Sequence, residues 1–254
     1  MSDPELSYFE LQAYMGTTKH MGGLESTRIL VELCRIGQDT YVLDVGCGVG
    51  ATACYLAKQY GCRVLGVDLR ESMVALSRER ARKERVEDRV EFRVADAQDL
   101  PFEDAQFDAV ISESVATFIE DKQKAVGEYA RVIRPDGYVG MNEEIWIKPP
   151  PSRVVEFAKQ TWDIKSDVLT ADGWVGLLKG AGLRDVVAKS YEVDARREST
   201  QVRRYRFQDM WRMFYRVLCL YVRNPAFREY MAARRHTPRD LFEYLGYAVF
   251  IGRR

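Results

Sequence analysis

The sequence predicts an α/β fold: a seven-stranded, mostly parallel sheet with helices on both faces. Short apolar runs alternate with amphipathic helical patterns from residue 40 onwards, the signature of βαβ units. The first run, Val42-Leu43-Asp44-Val45, passes directly into Gly46-Cys47-Gly48-Val49-Gly50, a strand-to-helix loop with glycine at every second position. With 254 residues, 46% of them apolar, the chain can build one such domain with additions.

Taken in order, residues 1–39 precede the first strand and read as a helical N-terminal cap. Tyr8, Phe9, Leu11 and Tyr14 form an aromatic stripe, and Tyr14-Met15-Gly16-Thr17-Thr18-Lys19-His20-Met21-Gly22-Gly23 is a glycine-punctuated loop. Residues 40–193 with 246–254 form the main domain. After the glycine loop come a helix (51–60), a strand (63–68), a helix (71–84) with an Arg/Glu-rich outer face, and strands at 90–94 and 107–112. A helix over 121–133 leads to Arg134-Pro135-Asp136-Gly137, which reads as a turn. A fifth strand over 138–147 is broken by Lys148-Pro149-Pro150-Pro151. Thr170 is placed to cap a helix over 171–180 that buries Trp174, Leu177 and Leu178. A sixth strand ends near Val193, and 247–251 closes the sheet. Between them, residues 194–245 form a helical insert, with Phe207, Trp211, Phe214, Leu218 and Tyr221 at helical spacing. Further helical pieces follow Asn224-Pro225 and Thr237-Pro238.

The glycine loop lets a ligand approach the backbone, because no Cβ blocks it, and the following helix turns free N–H groups towards the same place. Asp44, just before the glycines, would repel a pyrophosphate. It suits a cation instead, such as the sulfonium and ammonium groups of S-adenosylmethionine. Asp68 ends the second strand 22 residues after Gly46, close to the spacing of about 20 at which an acid grips ribose hydroxyls. Gly50 also falls one residue early for the dinucleotide pattern, which disfavours a nicotinamide-dependent oxidoreductase.

With Ala95-Asp96-Ala97-Gln98-Asp99-Leu100-Pro101-Phe102 after the third strand and Glu113-Ser114-Val115-Ala116-Thr117-Phe118 after the fourth, the chain resembles the class I S-adenosylmethionine-dependent methyltransferases, in particular the small-molecule and quinone-type branch, methyltransferase type 11. The resemblance runs over about residues 40–147. It implies a Rossmann-like sheet whose seventh strand lies antiparallel beside the fifth, and an N-terminal segment folded over the cofactor. It further implies a cofactor site of Asp44, Gly46, Cys47, Gly48, Gly50, Asp68, Leu69, Asp96, Ala97 and Glu113. There Asp96 accepts the adenine amino group, Ala97 offers its N–H, and Leu69 and Phe102 border the ring. The departure from the family is the insert, where a short hairpin is usual.

Acceptor chemistry is less visible. His20, with a pKa suited to proton transfer, Glu113 and Tyr14 are the catalytic candidates, and Phe118 is a candidate wall. Each also fits a bland role, as a loop hydrogen bond, a helix cap or packing. His236 lies in an arginine-rich stretch and is assigned no role. The insert reads either as a lid with arginines, suited to a greasy or anionic acceptor such as a quinone precursor or phospholipid, or as packing onto the sheet or a second subunit. Contact of a basic amphipathic helix with a membrane surface is a further reading. Net charge is zero but divides into −8 over residues 1–148 and +8 over 149–254, fitting an anionic partner or mutual attraction of the halves.

Ser112-Glu113-Ser114-Val115 replaces the Asn/Asp-Pro-Pro-aromatic clamp of nucleic-acid amino-methylating enzymes, and no Pro-Cys pair is present. Nucleic acid is therefore not the expected acceptor. Five cysteines without a Cys-x-x-Cys pair argue for reduced thiols and against a zinc site or other metal centre. With no apolar run of about 18 residues and no secretory pattern in Met1-Ser2-Asp3-Pro4-Glu5, a cytoplasmic protein is expected. A small-molecule or lipid-like methyl acceptor is the leading reading, with a non-catalytic cofactor-binding module as the alternative.

Overall fold

The computed structural model describes residues 8–162, 164, 166–194, 207–233, 238 and 240–254. Their chain order is α1 (Tyr8–Met15), α2 (Gly23–Leu33), β1 (Tyr41–Val45), α3 (Ala51–Tyr60), β2 (Arg63–Asp68), α4 (Glu71–Glu84), β3 (Val90–Val94) and β4 (Phe107–Glu113). A 3₁₀ turn (Ala116–Phe118) and α5 (Lys122–Val132) follow, then β5 (Ile133–Trp146), α6 (Ser152–Trp162), α7 (Ala171–Gly180) and β6 (Arg184–Glu192). The chain closes with α8 (Phe207–Arg223), α9 (Pro225–Ala233), α10 (Leu241–Tyr244) and β7 (Leu245–Arg253).

The sheet has seven strands in the order β3-β2-β1-β4-β5-β7-β6. The first five pair in parallel, and β7 runs antiparallel to both β5 and β6. The predicted architecture is thus the observed one. The central strands are buried on both faces, as their unbroken apolar runs require. One face carries Leu43, Leu65, Val110 and Met141 against Tyr129, Trp174 and Leu178 of α5 and α7. The other carries Val42, Val64 and Ile111 against Leu30, Leu56 and Val74 of α2, α3 and α4. Thr170 caps α7 as predicted, accepting from the Gly173 N–H at 3.2 Å. The order reverses between β1 and β4, so a crevice opens beyond their carboxyl ends, where open α/β sheets hold ligands.

Three expectations are corrected. The turn at 134–137 lies inside β5: Phe107 pairs with Ile133 and Ala109 with Tyr138, so three extra residues bulge out of the strand. Asp136 takes φ 65° there, and Arg134 and Arg253 tie the bulge to Asp108 and Asp136. Helix α6 was not foreseen; it starts at Pro151, whose carbonyl receives the Val154 N–H, and it buries Val154 and Ala158. Third, the aromatic stripe of α8 does not pack on the sheet. Leu220 is buried and Val217 packs with it against Leu11 of α1, whereas Phe207, Trp211, Phe214, Leu218 and Tyr221 are exposed. Residues 1–7, 195–206 and 234–237, which include His236 and the Thr237 helix start, lie outside the described residues.

Candidate functional site

Beyond β1 and β4 lies a cavity of about 360 Å³. The glycine loop is its floor, pinned to β2 because the Gly46 and Cys47 N–H groups both donate to the Val67 carbonyl, at 2.8 and 2.9 Å. Gly46 and Gly48 adopt φ 71° and 53°. A Cβ on Gly46 would stand 2.3 Å from Val115 Cγ2, and one on Gly48 would stand 2.6 Å from Thr18 Cγ2. The loop is therefore open to a ligand on one side and closed by protein on the other, which only glycine allows. Gly50 plays a different part. It lies outside the cavity wall, and its Cβ would strike Ser77 and Phe92, so it serves the packing of α3 on α4 and β3.

Asp44, Cys47, Asp68, Leu69, Asp96, Ala97 and Glu113 all line the cavity. Asp68 accepts from the Gly48 N–H through Oδ2 and from the Arg70 N–H through Oδ1, both at 3.0 Å. Burial pushes its carboxyl above the ordinary range, and these two N–H groups pull it back. Burial, then Asp44 and Asp68, drive the Cys47 thiol well above its usual pKa, so it is an inert wall. Asp96 is exposed and shapes its own turn, accepting from the Gln98 N–H at 2.9 Å. Leu69 is 62% exposed at the rim. Phe102, proposed to border a ring, instead packs edge-on against Phe107 in the core.

The N-terminal cap closes over this space. Phe9 of α1 meets the Phe118 ring edge-on at 5.0 Å and lies under the Arg70 guanidinium at 4.6 Å, while Glu10 pairs with Arg70 at 3.4 Å. Because Arg70 follows β2 and Phe118 follows β4, α1 spans the mouth from one side to the other. The loop after it brings His20, 6% exposed, to the cavity. His20 Nδ1 lies 3.1 Å from the Met21 carbonyl, and Nε2 faces Glu113 Oε2 at 3.5 Å. Glu113 also accepts from Thr27 Oγ1 and Thr52 Oγ1, both at 2.8 Å. His20 and Glu113 thus join the cap, α2, α3 and β4 in one polar knot. Asn142 of β5 adds to it, donating to the Met21 carbonyl at 2.6 Å and to Ser26 Oγ at 3.1 Å. Tyr14 is elsewhere: its carbonyl accepts from Arg216 and its ring packs in the α1–α8 contact.

Two residues missed in the sequence lie next to Asn142. Glu143 is fully buried and accepts the N–H groups of Val115, Ala116 and Thr117 at 3.2, 3.0 and 2.8 Å, plus the Thr117 hydroxyl at 2.8 Å. It fixes the turn after β4. Burial, reinforced by Glu144, raises its pKa to about 7. Glu144, 8% exposed, faces the other way into the cavity. Three consecutive polar residues at the carboxyl end of an otherwise apolar strand were the available signal.

A second cavity, about 580 Å³, adjoins the first. Gln12, Lys19, His20, Phe118 and Glu144 line both. Away from that junction most of the described lining residues are apolar: Leu11, Met15, Trp162, Ile164, Phe227 and Phe242 among others, from the cap, α6 and the loop after it, α9 and α10. Among the described residues, Lys19 is the one lysine or arginine that lines it.

A family model for the methyltransferase domain matches residues 43–141. An uncharacterised protein of Haemophilus influenzae is 34% identical over 184 residues, covering 71% of this chain and 73% of its own length. Phosphoethanolamine N-methyltransferase 1 of Arabidopsis thaliana is 31% identical over 168 residues, 66% of this chain and 33% of that protein. The chain therefore aligns with about a third of the length of this plant relative. Among solved structures, the phosphoethanolamine N-methyltransferase 2 of Haemonchus contortus, bound to phosphomonomethylethanolamine and S-adenosylhomocysteine, superposes with a TM-score of 0.74. At 20% identity it covers 97% of this chain and 57% of that one, a likeness of fold.

Proposed function

Taking as premise that this chain belongs to the class I S-adenosylmethionine-dependent methyltransferases, we propose that it methylates a small acceptor with an apolar body and a polar reacting group. The observation carrying this reading is the pair of adjoining cavities, one walled by acids and glycines, the other lined, among the described residues, mostly by apolar side chains away from where the two meet. Bound in the first, the cofactor supplies a methyl group already activated by its positive sulfur. The chain then has to align the reactants and exclude water. Gly46 and Gly48 give the approach. Asp44 complements the cationic end, Asp68 has lone pairs left for two ribose hydroxyls, and Asp96, Ala97 and Leu69 border the adenine end.

In the second cavity the acceptor buries its apolar body against Leu11, Trp162 and Phe227 and turns its reacting nitrogen, oxygen or carbon towards the junction. There Glu144 takes up the released proton or holds an ammonium group. His20 and Glu113, engaged with each other and with threonines, position the cap loop. The test is transfer from methyl-labelled cofactor into a deproteinised cell extract partitioned between solvents. Label in the organic phase that Glu144→Gln reduces at least ~tenfold supports the reading. Label confined to the aqueous phase, or none as for a protein that only holds cofactor, would sink it.

A further inference from the structure

We infer that the outer face of α8 is a docking surface for a lipid bilayer bearing anionic headgroups. The helix has two apolar sides. Its inner one is used: Leu220 and Val217 pack on α1, Met213 Sδ receives the Thr17 hydroxyl at 3.7 Å, and Arg216 donates to the Tyr14 carbonyl. Its outer one is Phe207, Trp211, Phe214, Tyr215, Leu218 and Val222, between 49% and 77% exposed. Their spacing of four, three, one, three and four residues puts them on a single stripe about 100° wide. A run of six large apolar side chains in water marks a contact surface.

Two further observations choose the occupant. Helices α8 and α9 hold Arg212, Arg216, Arg223 and Arg228 against Asp209 and Glu229, and Arg212 and Arg223 are exposed on α8 itself. That excess repels a second copy presenting the same segment and attracts an anionic surface. The face also presents Trp211 and Tyr215, whose apolar rings with polar edges settle at the headgroup level. The placement has a use that rests on the acceptor reading above. Helices α9 and α10 of the same insert give Phe227, Tyr230 and Phe242 to the apolar cavity, so a docked insert would take up its acceptor from the bilayer.

The experiment sediments the full chain, with neither cofactor nor acceptor, against vesicles of phosphatidylcholine alone and of phosphatidylcholine with phosphatidylglycerol. Binding to the second kind, weakened by salt and reduced about tenfold or more by Trp211→Ser with Leu218→Ser, is expected, with cofactor affinity kept. Equal or absent binding to both vesicle types would overturn the proposal. So would a dimer in light scattering that the double substitution separates, since the second copy would then own the face. Vesicle binding without cofactor depends on the face alone, and methyl transfer to a detergent-dispersed acceptor depends on the cavities alone, so the two readings fail separately.

Discussion

Asp68 holds two structures at once. Its carboxylate ties the Gly48 and Arg70 N–H groups, and the residue lines the cavity in which we propose that it also accepts the ribose hydroxyls. Asp68→Ala is therefore expected to weaken cofactor binding by about 2 kcal/mol, the value of hydrogen bonds to a charged group; titration calorimetry measures it, and unchanged affinity removes the role. Glu143 carries a pH signature. Its folded pKa of about 7 exceeds the ordinary 4.5, so between those values the folded state keeps a proton that the unfolded chain has released. Its contribution is full below 4.5 and is lost as pH rises through about 7. The stability advantage of wild type over Glu143→Gln should thus shrink across that window, by at most about 1.4 kcal/mol per pH unit; denaturant melts at several pH values show it. That Asp44 and Asp68 line the cavity was legible in the sequence, because an acid just before the glycines and an acid ending the next apolar strand both stand out. Glu143 and Glu144 were not, since a strand edge beside a loop could equally have been solvated, and only the fold puts Thr117 over one and the cavity beside the other.

At the scale of elements, strands and helices followed from periodicity, and exceptions came where local chemistry fitted two outcomes. Arg-Pro-Asp-Gly is good turn sequence; its ends are held in register by β4 and β7, so it became a bulge. Three prolines that stop a strand also start a helix, hence α6. The two sides of α8 were both apolar in sequence, and which one packs is decided by α1, a partner more than 190 residues away. Thr170→Ala should cost about 1 kcal/mol by removing the α7 cap, seen as a lowered melting temperature with cofactor affinity unchanged. Gly46→Ala should be harsher, because the new Cβ meets Val115 at 2.3 Å in a left-handed backbone; it is expected to abolish cofactor binding before it abolishes folding, separable by comparing calorimetry with circular dichroism.

For the whole molecule, the cap and insert form one cover: α1 rests on the cavity rim and α8 rests on α1. Replacing residues 207–233 with a short linker should remove acceptor transfer while cofactor binding survives, since the glycine loop and Asp68 belong to the sheet; equal loss of both would make the insert a structural prop. The position of β7 has a consequence in time. It is the last strand of the sheet in chain order, yet it lies between β5 and β6 with pairs on both sides. Until it enters, the sheet has a gap with two sticky edges, and the whole insert must swing past before the gap can fill. Sealing that gap is a late, long-range event. Pulse-labelled hydrogen exchange during refolding should find the β5, β6 and β7 amides gaining protection together, after β1 and β4, and crowding at that stage should favour strand exchange between chains.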